Sequence, residues 1–376
     1  MAIQGEIFPD KGKGRSTSAA QEILRFSSHR FLRQRLVLCI LSGRSIRVDN
    51  IRPDDVHVGL RDYEINLLRL VERITNGSTI DISVTGTSFV LHPGILPGGR
   101  HTHTCHLGRS IGYYLELLVP LAPFCKKPLT VTLHGITGSV NTDLTVDSIR
   151  TVTLPHLHMF GIEDMELKII KRGSAPLGGG EITFSSPIVR HLKTIQVVDP
   201  GKIGKLRGIA YSTRVSPQFA NRMVEAARGI LNTFVPDTYL YTDVFKGEES
   251  GKSPGFGITL VAQSSTYTLH SAESSSATSR IPEEVGVRAA RLLLKEVQSG
   301  GCVDSRHQWL VLLFMALGKE DVGKCLFGQL TSNTVQFMRD MQASLGVRFR
   351  ITDAGSNLLL LSCLGVGYSN VNKRVD

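Results

Sequence analysis

The residues that could carry chemistry fall into a few clusters, each with its own demand on spacing. In His101-Thr102-His103-Thr104-Cys105-His106, a strand would place His101, His103 and Cys105 on one face as potential zinc ligands. One strand cannot complete a tetrahedral shell, and no second cluster at ligand spacing accompanies it. The segment is expected to form a solvated or nucleic-acid-facing edge and to hold no metal. His156 and His158 flank Leu157 next to Pro155, and both read as surface positions, as does His307 at the start of a later helix. Gly247-Glu248-Glu249-Ser250-Gly251-Lys252-Ser253 resembles a phosphate-binding loop, but three residues separate its glycines where the motif requires four. Pro254 and Gly255 also oppose the helix whose N-terminus would hold a phosphate, so a turn is expected.

A backbone demand dominates Arg172-Gly173-Ser174-Ala175-Pro176-Leu177-Gly178-Gly179-Gly180-Glu181-Ile182. Consecutive glycines permit positive φ or the close approach of another main chain, after which Ile182 and Phe184 resume a strand pattern. Positive charge collects elsewhere. Arg25, His29, Arg30, Arg33 and Arg35 gather near the first helix, Arg44, Arg47 and Arg52 follow, and Lys202, Lys205 and Arg207 crowd a later loop. With a net charge of +10, these sets favour RNA or an acidic protein surface, because cations that neutralise phosphates release counterions.

The elements that must position these residues read as an α/β protein of repeated units. Leu60, Leu67, Leu68, Val71 and Ile74 make one apolar helix face over Leu60 to Thr75, stopped by Asn76-Gly77. Strands are expected at Ile80 to Val84, Leu129 to Leu133, Leu167 to Ile170 and Glu181 to Phe184, with helices at Ile111 to Leu121 and Val146 to Phe160. After Pro187 come a strand at Leu206 to Tyr211, a helix at Gln218 to Leu231, strands at Thr238 to Val244 and Gly257 to Gln263, and a serine loop at Ser271 to Ser279. Pro282 and two acids then open a helix, and Gln308 to Leu317 and Thr334 to Ser344 read as two more. At 376 residues, 41% hydrophobic and 20% charged, the chain can bury a large core. Six cysteines without CxxC spacing suit a reducing compartment, and neither a membrane span nor a secretory signal is expected.

The glycine-rich stretch, with Gly201-Lys202-Ile203, Arg207-Gly208-Ile209-Ala210-Tyr211-Ser212, Ser253-Pro254-Gly255-Phe256-Gly257 and Gly300-Gly301-Cys302-Val303-Asp304-Ser305, resembles the RNA 3'-terminal phosphate cyclase family from about Arg25 to Gly367. Gly112-Tyr113-Tyr114-Leu115-Glu116 and Asp199-Pro200-Gly201-Lys202 resemble most its eukaryotic cyclase-like, non-cyclase branch. The resemblance implies a large domain of repeated two-layer α/β units, as in an initiation-factor C-terminal domain, over 25–186 and 281–367. It also implies a smaller α/β domain inserted at 187–280, with a basic flexible tail over 1–24 and another tail over 368–376. It makes Arg172, Gly173, Pro176, Gly178, Gly179 and Gly180 structural signature residues.

An active cyclase of this family adenylylates a late histidine. The resemblance places Gln329 there, and no histidine follows His307. The glycine-rich, acid-containing loop that opens the first helix of active members is replaced by Arg25-Phe26-Ser27-Ser28-His29-Arg30-Phe31-Leu32-Arg33. The expectation is therefore a protein with no catalytic residues and no cofactor, an assembly factor of the small ribosomal subunit acting in early pre-rRNA processing. Its implied partners are a large nucleolar GTPase of the processome and pre-rRNA with small nucleolar ribonucleoprotein, in the nucleus and nucleolus. The alternatives are a pre-rRNA endonuclease using His29 or His307, and a divergent cyclase.

Overall fold

The computed structural model describes residues 23–140 and 143–370; most of the N-terminal tail and the last residues of the C-terminal tail lie outside the described residues. The first repeat comprises β1 (Leu24–Ser27), α1 (Leu32–Ser42), β2 (Ile46–Asp49), α2 (Asp62–Ile74), β3 (Thr79–Ile82) and β4 (Phe89–His92). The second begins with β5 (Gly99–Thr104), α3 (Ile111–Leu121) and β6 (Leu129–Gly135). It continues through α4 (Val146–Ser148), a π-helical turn (Ile149–Thr153) and α5 (Leu154–His158) to β7 (Glu166–Lys171) and β8 (Gly180–Ser186). The third opens with β9 (Gln196–Val197) and is interrupted by β10 (Ile203–Thr213), α6 (Gln218–Leu231), β11 (Thr238–Phe245), β12 (Gly255–Ser264), β13 (Leu269–Ser275) and α7 (Pro282–Ser299). It resumes with α8 (Gln308–Leu317), β14 (Val322–Phe327), α9 (Ser332–Leu345), β15 (Arg350–Asp353) and β16 (Leu359–Leu364).

The sheets β1-β2-β4-β3, β5-β6-β8-β7 and β9-β14-β16-β15 share one topology, a parallel first pair followed by antiparallel neighbours. The inserted sheet runs β11-β10-β12-β13. This is the mixed α/β architecture that the repeated pattern implies. One core joins the three repeats through residues such as Leu36, Leu67, Tyr114, Phe184, Phe314 and Phe337. Helix α8 is buried all round, as its uninterrupted apolar sequence requires. Helix α2 turns its Leu67, Leu68, Val71 and Ile74 stripe inward, and Glu64 caps it by accepting from the Arg61 N–H at 2.9 Å.

Four expectations change. Helix α7, placed by sequence in the larger domain, packs Val285, Ala289, Ala290 and Leu293 into the second core with Met223, Ala227 and Leu260 of the insert. The first half of the serine tract is strand, β13 over Leu269–Ser275, and only 276–279 is the expected loop: small side chains let this strand be buried on both faces while it pairs with β12. The helix expected over Val146 to Phe160 is interrupted by a π turn, because Pro155 has no N–H for the carbonyl four residues back. Arg25 belongs to β1 and His29 and Arg30 to a turn, since α1 begins only at Leu32 after Phe31 at φ 62°.

Candidate functional site

A cleft of about 930 Å³ opens between the N-terminal ends of α1 and α9. His29, Arg30 and Arg33 line one wall, Ser332, Asn333 and Arg339 the other, and Arg52, Glu64, Arg109 and Tyr113 the floor and sides. Arg35, expected at a binding surface, is instead buried and builds the site. Its Nε donates to Asp340 of α9 at 3.1 Å, and its Nη1 donates to the Ser27 and Ser28 carbonyls at 3.1 and 3.0 Å. It thereby fixes the turn carrying His29 and Arg30 against α9.

The floor cations are held in place by carboxylates and rings. Arg52 forks onto Glu64 at 2.7 and 2.8 Å. Arg109 donates to buried Asp143 and lies over the Tyr113 ring at 4.4 Å, while Arg33 contacts Glu116 and lies over the same ring at 4.6 Å. Arg30 and Arg339 are exposed, with no carboxylate partner among the described residues. Burial, then the charge of Arg52, holds His29 below the usual imidazole range. The cleft therefore offers fixed positive charge and two helix N-termini, and α1 has no side-chain cap.

Gln329 lies beside this cleft, next to its lining residue Leu330. Gln329 is exposed, and its main-chain carbonyl accepts from Gln308 Nε2 at 3.0 Å. Gln308 also accepts from Thr331 N and Thr334 Oγ1 at 3.1 and 2.8 Å, which pins the entry to α9. Arg25 is exposed on β1 outside the cleft, Lys202 is exposed just before β10, and Lys205 and Arg207 are exposed along it. Arg207 lines a separate pocket with Tyr241 and Thr151. The structure thus splits the predicted basic set. The sequence reading missed Arg109 and Arg339, because a single arginine before α3 and another within α9 carry no spacing signal.

The glycine stretch acts as a seam. Gly178 and Gly179 adopt φ of 60° and 84°, and a Cβ on Gly173 would strike the Gly180 main chain. The segment resembling a phosphate loop docks on it: Lys252 N donates to the Gly178 carbonyl at 2.9 Å, Arg172 N to Glu249 O at 2.9 Å, and Leu177 N to Ser253 Oγ at 3.0 Å.

The histidine expectations need correction. His103 is buried, not solvated: Asn66 Oδ1 lies 2.9 Å from its Nε2, and burial pushes its pKa down to about 4. His101 contacts the Gly98 carbonyl at 3.1 Å. His158 is exposed as expected, but His156 and His307 are buried with their rings 5.1 Å apart, because α5 turns His156 inward beside Leu157.

These features define a class: a thrice-repeated α/β scaffold with an inserted unit and a basic cleft between two helix ends. The chain belongs to the RNA 3'-terminal phosphate cyclase family, whose model matches residues 24–351. It is 48% identical to the probable RNA 3'-terminal phosphate cyclase-like protein of Dictyostelium discoideum, over 93% of this chain and 99% of that protein. It is also 48% identical to the RNA 3'-terminal phosphate cyclase-like protein of Homo sapiens, over 93% and 97%. To the rRNA processing protein rcl1 of Schizosaccharomyces pombe it is 47% identical, over 94% and 99%.

Proposed function

We propose that this chain is a non-catalytic cyclase-like assembly factor acting in early pre-rRNA processing for the small ribosomal subunit. In this reading it works in the nucleolus by binding a large GTPase of the processome and by gripping pre-rRNA in the α1/α9 cleft. One observation carries the reading: the cleft keeps cations and helix N-termini suited to phosphates, while an amide, Gln329, stands where the family resemblance puts the nucleophile. Glu64, the one carboxylate lining the cleft among the described residues, is consumed by Arg52. The names of the relatives, cyclase-like and rRNA processing, speak for the same role. A nuclease would need an acid and a base at the scissile phosphate, yet His29 lines the cleft and His307 is buried elsewhere.

The test is incubation with magnesium, ATP and an oligoribonucleotide ending in a 3'-phosphate, beside an active cyclase. Intact-mass measurement should find no AMP adduct, and the RNA end should stay open. An adduct or a cyclic phosphate would overturn the non-catalytic reading.

A further inference from the structure

Three histidines and an aspartate that the cleft does not use meet in the interior, where α5, β13 and the segment leading into α8 converge. His156, His270, Asp304 and His307 are 3%, 3%, 1% and 1% exposed. Asp304 Oδ1 lies 2.5 Å from His307 Nδ1, and His307 Nε2 lies 2.8 Å from the Thr153 hydroxyl. Ser271 holds the other carboxylate oxygen through its N–H at 3.1 Å and its hydroxyl at 2.5 Å. His156 Nε2 and His270 Nδ1 are buried without a hydrogen-bond partner among the described residues. Native interiors rarely leave such atoms unsatisfied, at about 1–3 kcal/mol each, so two in one cluster require an explanation.

One donor atom from each of His156, Asp304 and His307 can be chosen so that all lie within 4.8 Å of one another. A tetrahedral ion with bonds of about 2.0–2.2 Å spaces its ligands roughly 3.3 Å apart, which small side-chain rotations can reach. We propose that His156, Asp304 and His307 form a structural site for a divalent transition-metal ion of the zinc class. His156 binds through Nε2, Asp304 through Oδ1 and His307 through Nδ1. The imidazole proton of His307 moves to Nε2 and is donated to Thr153 Oγ1, so the ring stays neutral and its tautomer is fixed. Thr153 and Ser271 are then the outer partners that orient the ligands, and a water takes the fourth position. The ion would fasten α5 of the second repeat to the segment leading into α8, which Ser271 of the insert already holds through Asp304.

The test uses the full chain, stripped with a chelator and titrated with Co²⁺ as a spectroscopic stand-in for Zn²⁺. One equivalent should bind with the visible absorption of a tetrahedral ion, Zn²⁺ should abolish that absorption, and the melting temperature should rise with either metal. Folded His156→Gln should bind at least about tenfold more weakly, and Ser271→Ala, outside the ligand set, about tenfold more weakly. Absence of saturable binding by the wild type, or equal affinity in folded His156→Gln, overturns the proposal. If His156→Gln does not fold, equal affinity of Ser271→Ala and wild type overturns it.

Discussion

Arg172 reaches across the seam to Asp243, its Nε and Nη2 both donating to Oδ2 at 3.0 and 2.7 Å. Its Nη1 and Nη2 also fork onto Asp147 at 2.7 and 2.8 Å, and its Cζ lies 4.8 Å from the centre of the Tyr211 ring. One guanidinium thus joins the end of β7, α4 and β11 of the insert, a geometry that a lysine cannot copy. Arg172→Met leaves the fully buried Asp147 carboxylate with only the longer contact to Arg150 at 3.3 Å and should cost about 3 kcal/mol in urea unfolding. Arg172→Lys should recover little of this. Asp243→Asn should cost less, since the Asp243 side chain is 36% exposed. Equal stability of Arg172→Met and wild type would remove the guanidinium from its place as the clamp.

Gly251 makes a second prediction at the same seam. Its φ is +66°, and a Cβ there would lie 2.6 Å from both the Arg172 and Gly178 carbonyl oxygens. Gly251→Ala combines left-handed strain with a main-chain clash and should destabilise by about 2–4 kcal/mol. Limited proteolysis should then cut preferentially near 247–253. Gly247→Ala is the control: it shares a positive φ of +59° but meets nothing within 4 Å, so it should show only the smaller strain cost.

What was legible in the sequence was what depends on periodicity or on backbone permission. The run Gln308 to Leu317, apolar from Trp309 onward, gave α8 to the residue, and the glycine stretch marked a close main-chain approach that the docking of Lys252 on Gly178 makes concrete. What escaped depends on partners distant in sequence. Nothing local distinguishes buried Arg35, paired with Asp340, from exposed Arg30. The serines of β13 look like a loop because only the tertiary setting, with α7 on one side and the second repeat on the other, buries them. The pairing of His156 with His307 spans the whole insert, and no spacing rule links them.

His103 gives the fold a pH dependence. Burial, then the charge of Arg73, lowers its folded pKa to about 4, against about 6.5 in the unfolded chain. Between these values the unfolded chain binds a proton that the folded protein refuses, so stability rises with pH across that window. The contribution is complete above about pH 6.5 and is lost as the pH falls to about 4, up to about 3 kcal/mol. Melting temperatures measured across this range should fall less steeply for His103→Gln than for wild type. An unchanged slope would mean that His103 is protonated without penalty.

The cleft predicts a salt signature. Arg30 and Arg339 face it without carboxylate partners among the described residues, whereas Arg33, Arg52 and Arg109 already share their charge with Glu116, Glu64 and Asp143. Single-stranded RNA bound there should therefore lose about one unit of log-log salt slope for each of Arg30→Ala and Arg339→Ala, uniformly across sequences. Arg207→Ala, on the inserted sheet outside the cleft, should leave the slope unchanged. His29, held below the usual imidazole range by burial and by Arg52, is neutral near pH 7 and gains charge only in more acidic solution. Affinity for RNA should accordingly strengthen as the pH drops below about 6.5, and His29→Asn should abolish that gain. If Arg207→Ala lowers the slope while Arg30→Ala and Arg339→Ala do not, the RNA surface lies on the insert and the cleft serves another partner.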